Sequence, residues 1–232
     1  MSTPELKTTM FQPEGWQSDG YLADTALMDF ITCPWLYFRR HHLDDHQQAD
    51  AIDHAAHLRV LQGRDVYERD AAHHLNAEQQ NLLEFMAVGV GMNDEAVNRI
   101  LLGWAAQTAT ACVEGQSIAA TMDWVHPHGG IVEFVVVDRL PWFESCVRHH
   151  RIVEKLVLQR MVLRTKLDDD KATIRLHCVV VEQQDPQRCG VWEISDATAG
   201  IAEIEVKAAI RQFRECTASG YWPTHYENVM AL

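Results

Sequence analysis

The segment Ile-Val-Glu-Phe-Val-Val-Val at positions 131–137 constrains this chain more than any other. It is too short for a stable helix and too rich in β-branched residues for anything but a strand. Side chains alternate along a strand, so Ile131, Glu133, Val135 and Val137 share one face. Glu133 is then a lone carboxylate on an apolar surface. Burying it without a proton, a cation or a metal costs roughly several kcal/mol. An edge position would instead leave it solvated. Upstream, Thr121-Met122-Asp123 ends a preceding strand, and Val125 to Gly130 forms the turn between the two, with Pro127, Gly129 and Gly130 as breakers. Asp123 is therefore the natural partner of Glu133. Two carboxylates converging from neighbouring strands suit a hard cation, Mg²⁺ or Mn²⁺.

The composition removes several alternatives. A chain of 232 residues with 47% hydrophobic content can bury a sizeable core. It contains no apolar run of about 18 residues, so no membrane span is expected. The opening residues show no basic segment followed by an apolar one, as a secretory signal would. The six cysteines are scattered and form no CxxC pair, which fits reduced thiols in a cytoplasmic protein. A net charge of −13 disfavours coating nucleic acid through a general basic surface, but is compatible with a local basic channel. Of the histidines, His126 and His128 in the turn are candidate transition-metal ligands, although no second pair has matching spacing.

Residues 1–20 are polar and Pro/Gly-punctuated, and are expected to be poorly ordered; residues 21–232 are read as one domain. A short helix begins near Asp24 or Thr25, either of which caps it, with Leu27, Met28 and Phe30 on its apolar side. Cys33 to Arg40 mixes aromatic and basic residues, as either a core-anchoring helix or a stacking surface for nucleic acid. Helices are expected at 55–72, after a capping box at Asn76 and Gln79 with Leu82, Phe85, Met86 and Val90 as its core stripe, and at 95–111. After the central strand pair follow a helix at 143–165, a strand at 174–181, a turn at 183–186, a return strand at 190–194 and a helix at 196–219. That last helix is capped by Gly220 and carries Ile201, Ile204, Ala208, Phe213 and Cys216 on its apolar face. The fold class is α/β, with a helical first half and a central mixed sheet flanked by helices.

Several of these segments, taken in order, resemble the RecE-type exonuclease domain (exodeoxyribonuclease VIII-like) of the PD-(D/E)XK nuclease superfamily. Met28–Pro34 matches an opening Leu-x-x-Phe-x-x-Cys-Pro pattern. Gly63–Ala72 and Glu78–Met86 are similar to the next two helices. The valine-rich strand ending in Glu182, the Pro turn and Val191-Trp192-Glu193-Ile194 resemble the later hairpin. Phe213–Pro223 resembles the last helix and its Gly-x-Trp-Pro exit.

The resemblance implies Mg²⁺-dependent hydrolysis of linear duplex DNA, with four positions doing the chemistry. Asp123 and Glu133 match the two metal-binding acids. The Lys expected two residues after the second acid is Val135, and the His expected on the helix after the Gly is Tyr67. A helical Gln aligns with Glu154, which would offer a third carboxylate. Losing an amine that faces growing transition-state charge typically costs about 10²–10³ in rate. The catalytic motif thus reads as degenerate, with activity weakened or lost. Lys155 is the candidate replacement amine, if its helix faces the sheet; Arg139 is a second candidate. The alternatives are a non-catalytic pseudonuclease that binds or regulates, and a protein whose acidic surface serves protein partners. The resemblance further suggests a single-strand annealing protein as partner and a homo-oligomer.

Overall fold

The computed structural model describes residues 20–42, 51–100, 103–126, 130–169 and 173–224. Almost all of the segment expected to be poorly ordered, and His128 of the turn, lie outside these residues. Chain order gives β1 (Leu22–Ala23), α1 (Asp24–Thr32), α2 (Pro34–His42), α3 (Ala51–His57), a π-helical turn (Leu58–Gln62), α4 (Arg64–Asp70), α5 (Ala77–Gly91) and α6 (Asp94–Ile100). Then come β2 (Trp104–Val113), β3 (Gln116–His126), β4 (Gly130–Val137), α7 (Phe143–His149), α8 (Ile152–Leu167), β5 (Arg175–Glu182), β6 (Cys189–Glu193) and α9 (Asp196–Ser219).

The six strands form one mixed sheet. β2 runs antiparallel along the whole of β3 on one edge. The other edge of β3 is shared. Near one end Leu22 and Ala23 of β1 pair in parallel with Ile118 and Ala119. Near the other end β4 pairs antiparallel, Trp124 with Val132, Val125 with Ile131 and His126 with Gly130. β4 then pairs in parallel with β5 along its full length, and β5 pairs antiparallel with β6.

The strand alternation read from the sequence divides the core into two layers. Ile131 and Val137 face a cluster built with α1, α8 and α9, while Val132 and Phe134 face a second cluster built with α3, α4, α5 and α6. The sheet is thereby covered on both faces, which explains the nearly unbroken apolar run of β4.

Local signals succeed where chemistry is explicit. Asn76 caps α5 with a complete capping box, its side chain accepting from Gln79 N at 2.9 Å while Asn76 N donates to Gln79 Oε1 at 3.0 Å. Gly220 closes α9 in the left-handed conformation, φ 70°. Other expectations are corrected. The helix expected at 95–111 is α6 followed by strand β2. The helix expected at 143–165 breaks between α7 and α8, where Arg151 adopts a left-handed φ of 54°. The helix expected at 55–72 is three shorter pieces. Ile201 and Ile204 lie on the solvent side of α9, and Phe85 on that of α5; Ala199, Ala202, Val206 and Ala209 make the buried face of α9 instead.

Candidate active site

The register of β3 and β4 creates the site. Their pairing proceeds from His126–Gly130 to Trp124–Val132 and ends there. The next step in register would set Asp123 opposite Glu133, on the side of the sheet that carries Val125 and Ile131. Here the strands part, and side chains take over the lost ladder bonds. The Phe134 amide donates to Asp123 Oδ2 at 3.0 Å. Farther along β3, the Thr121 amide donates to Asp24 Oδ2 at 3.2 Å, and Gln159 Nε2 donates to the Thr121 carbonyl at 2.9 Å. A backbone group left unpaired inside a protein costs about 1–3 kcal/mol, so these bonds hold the split open without that penalty.

Glu133 is buried, 7% exposed, as its lone position on an apolar face required. Its cation is Lys155, whose Nζ lies 2.5 Å from Glu133 Oε1. Lys155 sits in the first turn of α8, so that helix does face the sheet. Val135, at the position of the missing Lys, lines the same cleft. An amine thus reaches the Glu133 face of β4 from the neighbouring helix.

An imidazole reaches Asp123 as well. His57, the last residue of α3, places Nε2 3.3 Å from Asp123 Oδ2 and packs edge-on against Phe134, ring centroids 5.1 Å apart. The backbone carbonyl of Asp53 lies 2.8 Å from His57 Nδ1 and orients the ring. The π-helical turn begins at the next residue, a device common where a helix must re-aim side chains at a functional site. Tyr67, expected at the histidine position, is buried in the second core cluster near Arg59 and Glu84. The expectation counted forward from Gly63, whereas the histidine that reaches Asp123 precedes it.

Glu154, aligned above with a helical glutamine, pairs with Arg151 at 2.9 Å, and the buried glutamine of α8 is Gln159. Asp24, read as a helix cap, is 2% exposed and accepts three hydrogen bonds. Arg139 is bonded to Gln184, away from the acids.

The electrostatics follow from burial and these contacts. Burial pushes the Glu133 carboxyl up, the neighbouring Asp123 charge pushes it further, and Lys155 only partly offsets both. Burial would raise Asp123 as well, but Lys155, the His57 hydrogen bond and charge, and the Phe134 amide hold it below the usual carboxylate range. Burial alone would depress His57; its bond to Asp123, with the Asp123 and Asp53 charges, outweighs this and raises it to about 9. Lys155 is held charged, because the charges of Glu133, Asp123 and Asp24 overcome its burial.

These residues fit a divalent ion of the Mg²⁺ class. Glu133 Oε2 is buried with no hydrogen-bond partner, and Asp123, one register step beyond the last β3–β4 pair, offers a second set of hard oxygen donors. Among the described residues no group of three or more His, Cys, Asp and Glu side chains forms a metal cage. A Mg²⁺ ion commonly takes one or two protein carboxylates, with water and substrate phosphate completing its shell. Beside the acids opens a cleft of about 520 Å³, lined by Glu133, Phe134, Val135, His57, Lys155 and His150 among others. No helix of the described residues is long and apolar enough to cross a membrane.

No protein-family model and no curated protein matches the sequence. Its structure does match solved ones. A protein of Eubacterium rectale described as "Putative exonuclease" superposes with a TM-score of 0.72 over 92% of this chain and 90% of its own, at 11% identity. The structure named SSO0001 superposes with a TM-score of 0.40 at 11% identity, over 85% of this chain and 78% of its own. At such low identity the first likeness is one of fold: the mixed sheet flanked by helices is an architecture the two chains share.

Proposed function

We propose that this chain is a metal-dependent nuclease of the PD-(D/E)XK type that removes nucleotides from the ends of linear duplex DNA, its amine supplied by α8 rather than β4. The contact of Lys155 with Glu133, one register step from Asp123, carries this reading. It turns a motif that looks broken in sequence into a complete set: two acids, an amine and an imidazole. The fold shared with the Eubacterium rectale protein supports it.

Asp123 and Glu133 would hold Mg²⁺ or Mn²⁺, which would lower the pKa of a bound water and neutralise phosphate charge. The protein's own groups do the rest. Lys155, resting on Glu133, is a preformed cation beside the cleft, placed where negative charge grows on phosphorus-bound oxygen in the transition state. Its place in the first turn of α8 adds the positive end of the helix dipole. His57 holds Asp123 ionised and fixes its orientation. Val135 and Ile152 give the cleft dry walls, which strengthens each of these charges. The cleft volume falls within the range of about 300–1,000 Å³ that encloses a drug-sized ligand, the size class of one nucleotide. In this reading it takes one terminal nucleotide, with the rest of the duplex outside. In this reading the partners are linear duplex DNA and, by the resemblance, a single-strand annealing protein and further copies of the chain.

The second reading, a non-catalytic binding protein, is favoured by the −13 net charge and by Val135 in the cleft wall. One assay separates them. Purified protein with Mg²⁺ or Mn²⁺ should release nucleotides from linear duplex DNA and spare covalently closed circles, and Asp123→Ala should abolish the release. A folded wild-type protein with no metal-dependent cleavage, or cleavage untouched by Asp123→Ala, overturns the proposal.

A further inference from the structure

Asp24 is a buried carboxylate that the chemistry above does not use. It opens α1, directly after β1, at the split between β1 and β4. The carboxylate accepts from the Thr25 amide at 2.9 Å, the Thr121 amide at 3.2 Å and Gln159 Nε2 at 3.1 Å. Gln159, itself fully buried, also donates to the Thr121 carbonyl. Asp24, Thr121 and Gln159 therefore form a closed clasp joining α1, β3 and α8. Gln159 lies four residues after Lys155, one helical turn along the same face of α8. Fixing Gln159 on β3 fixes the angular setting of α8, and with it the point at which Lys155 meets the sheet.

Three donors converge on the two oxygens of Asp24, which calls for a group with two acceptor oxygens; an amide or a hydroxyl offers one and would set a hydrogen of its own against a donor. Burial pushes the Asp24 carboxyl up, and the Lys155 charge is the largest of the influences that offset it.

We propose that Asp24 is a positioning residue of the hydrolytic centre: through Gln159 and Thr121 it sets α8 on β3, and so fixes where the Lys155 ammonium, one turn before Gln159, meets the cleft. The inference rests on the hydrolytic reading for its effect on rate, but not for its effect on Lys155 itself.

A double-mutant cycle tests it. Asp24→Asn keeps the size and one acceptor oxygen and turns the other into an N–H group that faces one of the clasp's own donors. Single-turnover cleavage is measured for wild type, Asp24→Asn, Lys155→Met and the double variant, with the melting temperature of each. Asp24→Asn should lower the rate about tenfold while KM stays within about twofold, and should have little further effect once Lys155 is gone. Equal losses in both backgrounds, or no loss, would mean that Asp24 serves the fold alone. A readout independent of activity is the side-chain NMR signature of Lys155 in metal-free protein. Asp24→Asn, or Asp24→Ser should the amide variant not fold, should move those resonances toward free lysine. Unmoved resonances overturn the role of Asp24. A silent wild-type enzyme with resonances that do move sinks the hydrolytic reading and leaves the link between Asp24 and Lys155 standing.

Discussion

Replacing Lys155 with Met keeps the bulk of the side chain and deletes its charge, and two effects of different origin should follow. At 2.5 Å and an effective dielectric near 20, the attraction between Lys155 and Glu133 is roughly 6–7 kcal/mol. Part of this offsets the desolvation of an amine whose side chain is only 17% exposed. Breaking a buried ion pair by removing one partner typically costs about 3–5 kcal/mol, because the other charge is stranded. Here the stranded group is Glu133, with Asp123 beside it. For a chain of this length each kcal/mol moves Tm by about 2–4 °C, so Lys155→Met should melt about 6–20 °C below wild type. The penalty should also depend on pH. The folded-state pKa of Glu133 already lies above its ordinary value of 4.5, and Lys155 is among the influences that lower it. Without Lys155 it rises further. A carboxyl with a raised folded pKa favours the folded state when protonated and loses that advantage as pH rises from the unfolded pKa through the folded one. The gap in Tm between variant and wild type should therefore widen from about pH 5 toward neutral and narrow on acidification. Cleavage should fall by about 10²–10³ at any pH where both proteins are folded. Scanning calorimetry from pH 5 to 8 and a single-turnover assay check both effects. A Lys155→Met protein that melts with wild type, or cleaves at the wild-type rate, refutes the assignment of the displaced amine.

Three further outcomes follow from the same geometry. In metal-free protein the His57 pKa is raised from 6.5 to about 9, so its contribution to stability is complete below pH 6.5 and is lost as pH rises through 9; denaturation between these limits should show the decline in wild type and a flatter profile in His57→Gln. Tyr67→His should lower Tm without raising activity, because position 67 lies in the second core cluster, where an imidazole exchanges apolar contact for an unpaired polar group; enhanced cleavage would count against His57 as the working imidazole. Asn76→Ala should cost about 1 kcal/mol by opening the capping box of α5, visible in urea denaturation, while cleavage stays unchanged.

What the sequence disclosed, and what it hid, divides along a physical line. The face of β4 was legible because period-two alternation around Glu133 has one structural meaning, and a buried carboxylate demands a cation. Gly220 and the Asn76–Gln79 box were legible because caps are local. Lys155 was visible only as a candidate, since whether α8 turns it inward depends on packing against β2 and β3. His57 and Asp24 were hidden for the same reason. Their roles arise where β1, β3, β4, α3 and α8 meet, and no local pattern distinguishes His57 from the many other histidines or Asp24 from an ordinary cap. The misread of β2 has another origin. Its alanines favour helix by propensity, but Thr108, buried against Thr121 at 3.0 Å between hydroxyls, shows pairing with β3 deciding the outcome. On α9, Phe213 and Cys216 lie on the buried face as expected, whereas Ile201 and Ile204 point to solvent and Ala199, Ala202, Val206 and Ala209 take the inner positions.

The account depends on Asp123 and Glu133 forming one metal-binding point with Lys155 at its side. Crystals soaked in Mn²⁺ and measured at its absorption edge test this directly. The expected result is an anomalous peak bonded to both carboxylates, with Lys155 Nζ facing the cleft. No peak there at millimolar Mn²⁺, with Lys155 still closed on Glu133, would contradict it.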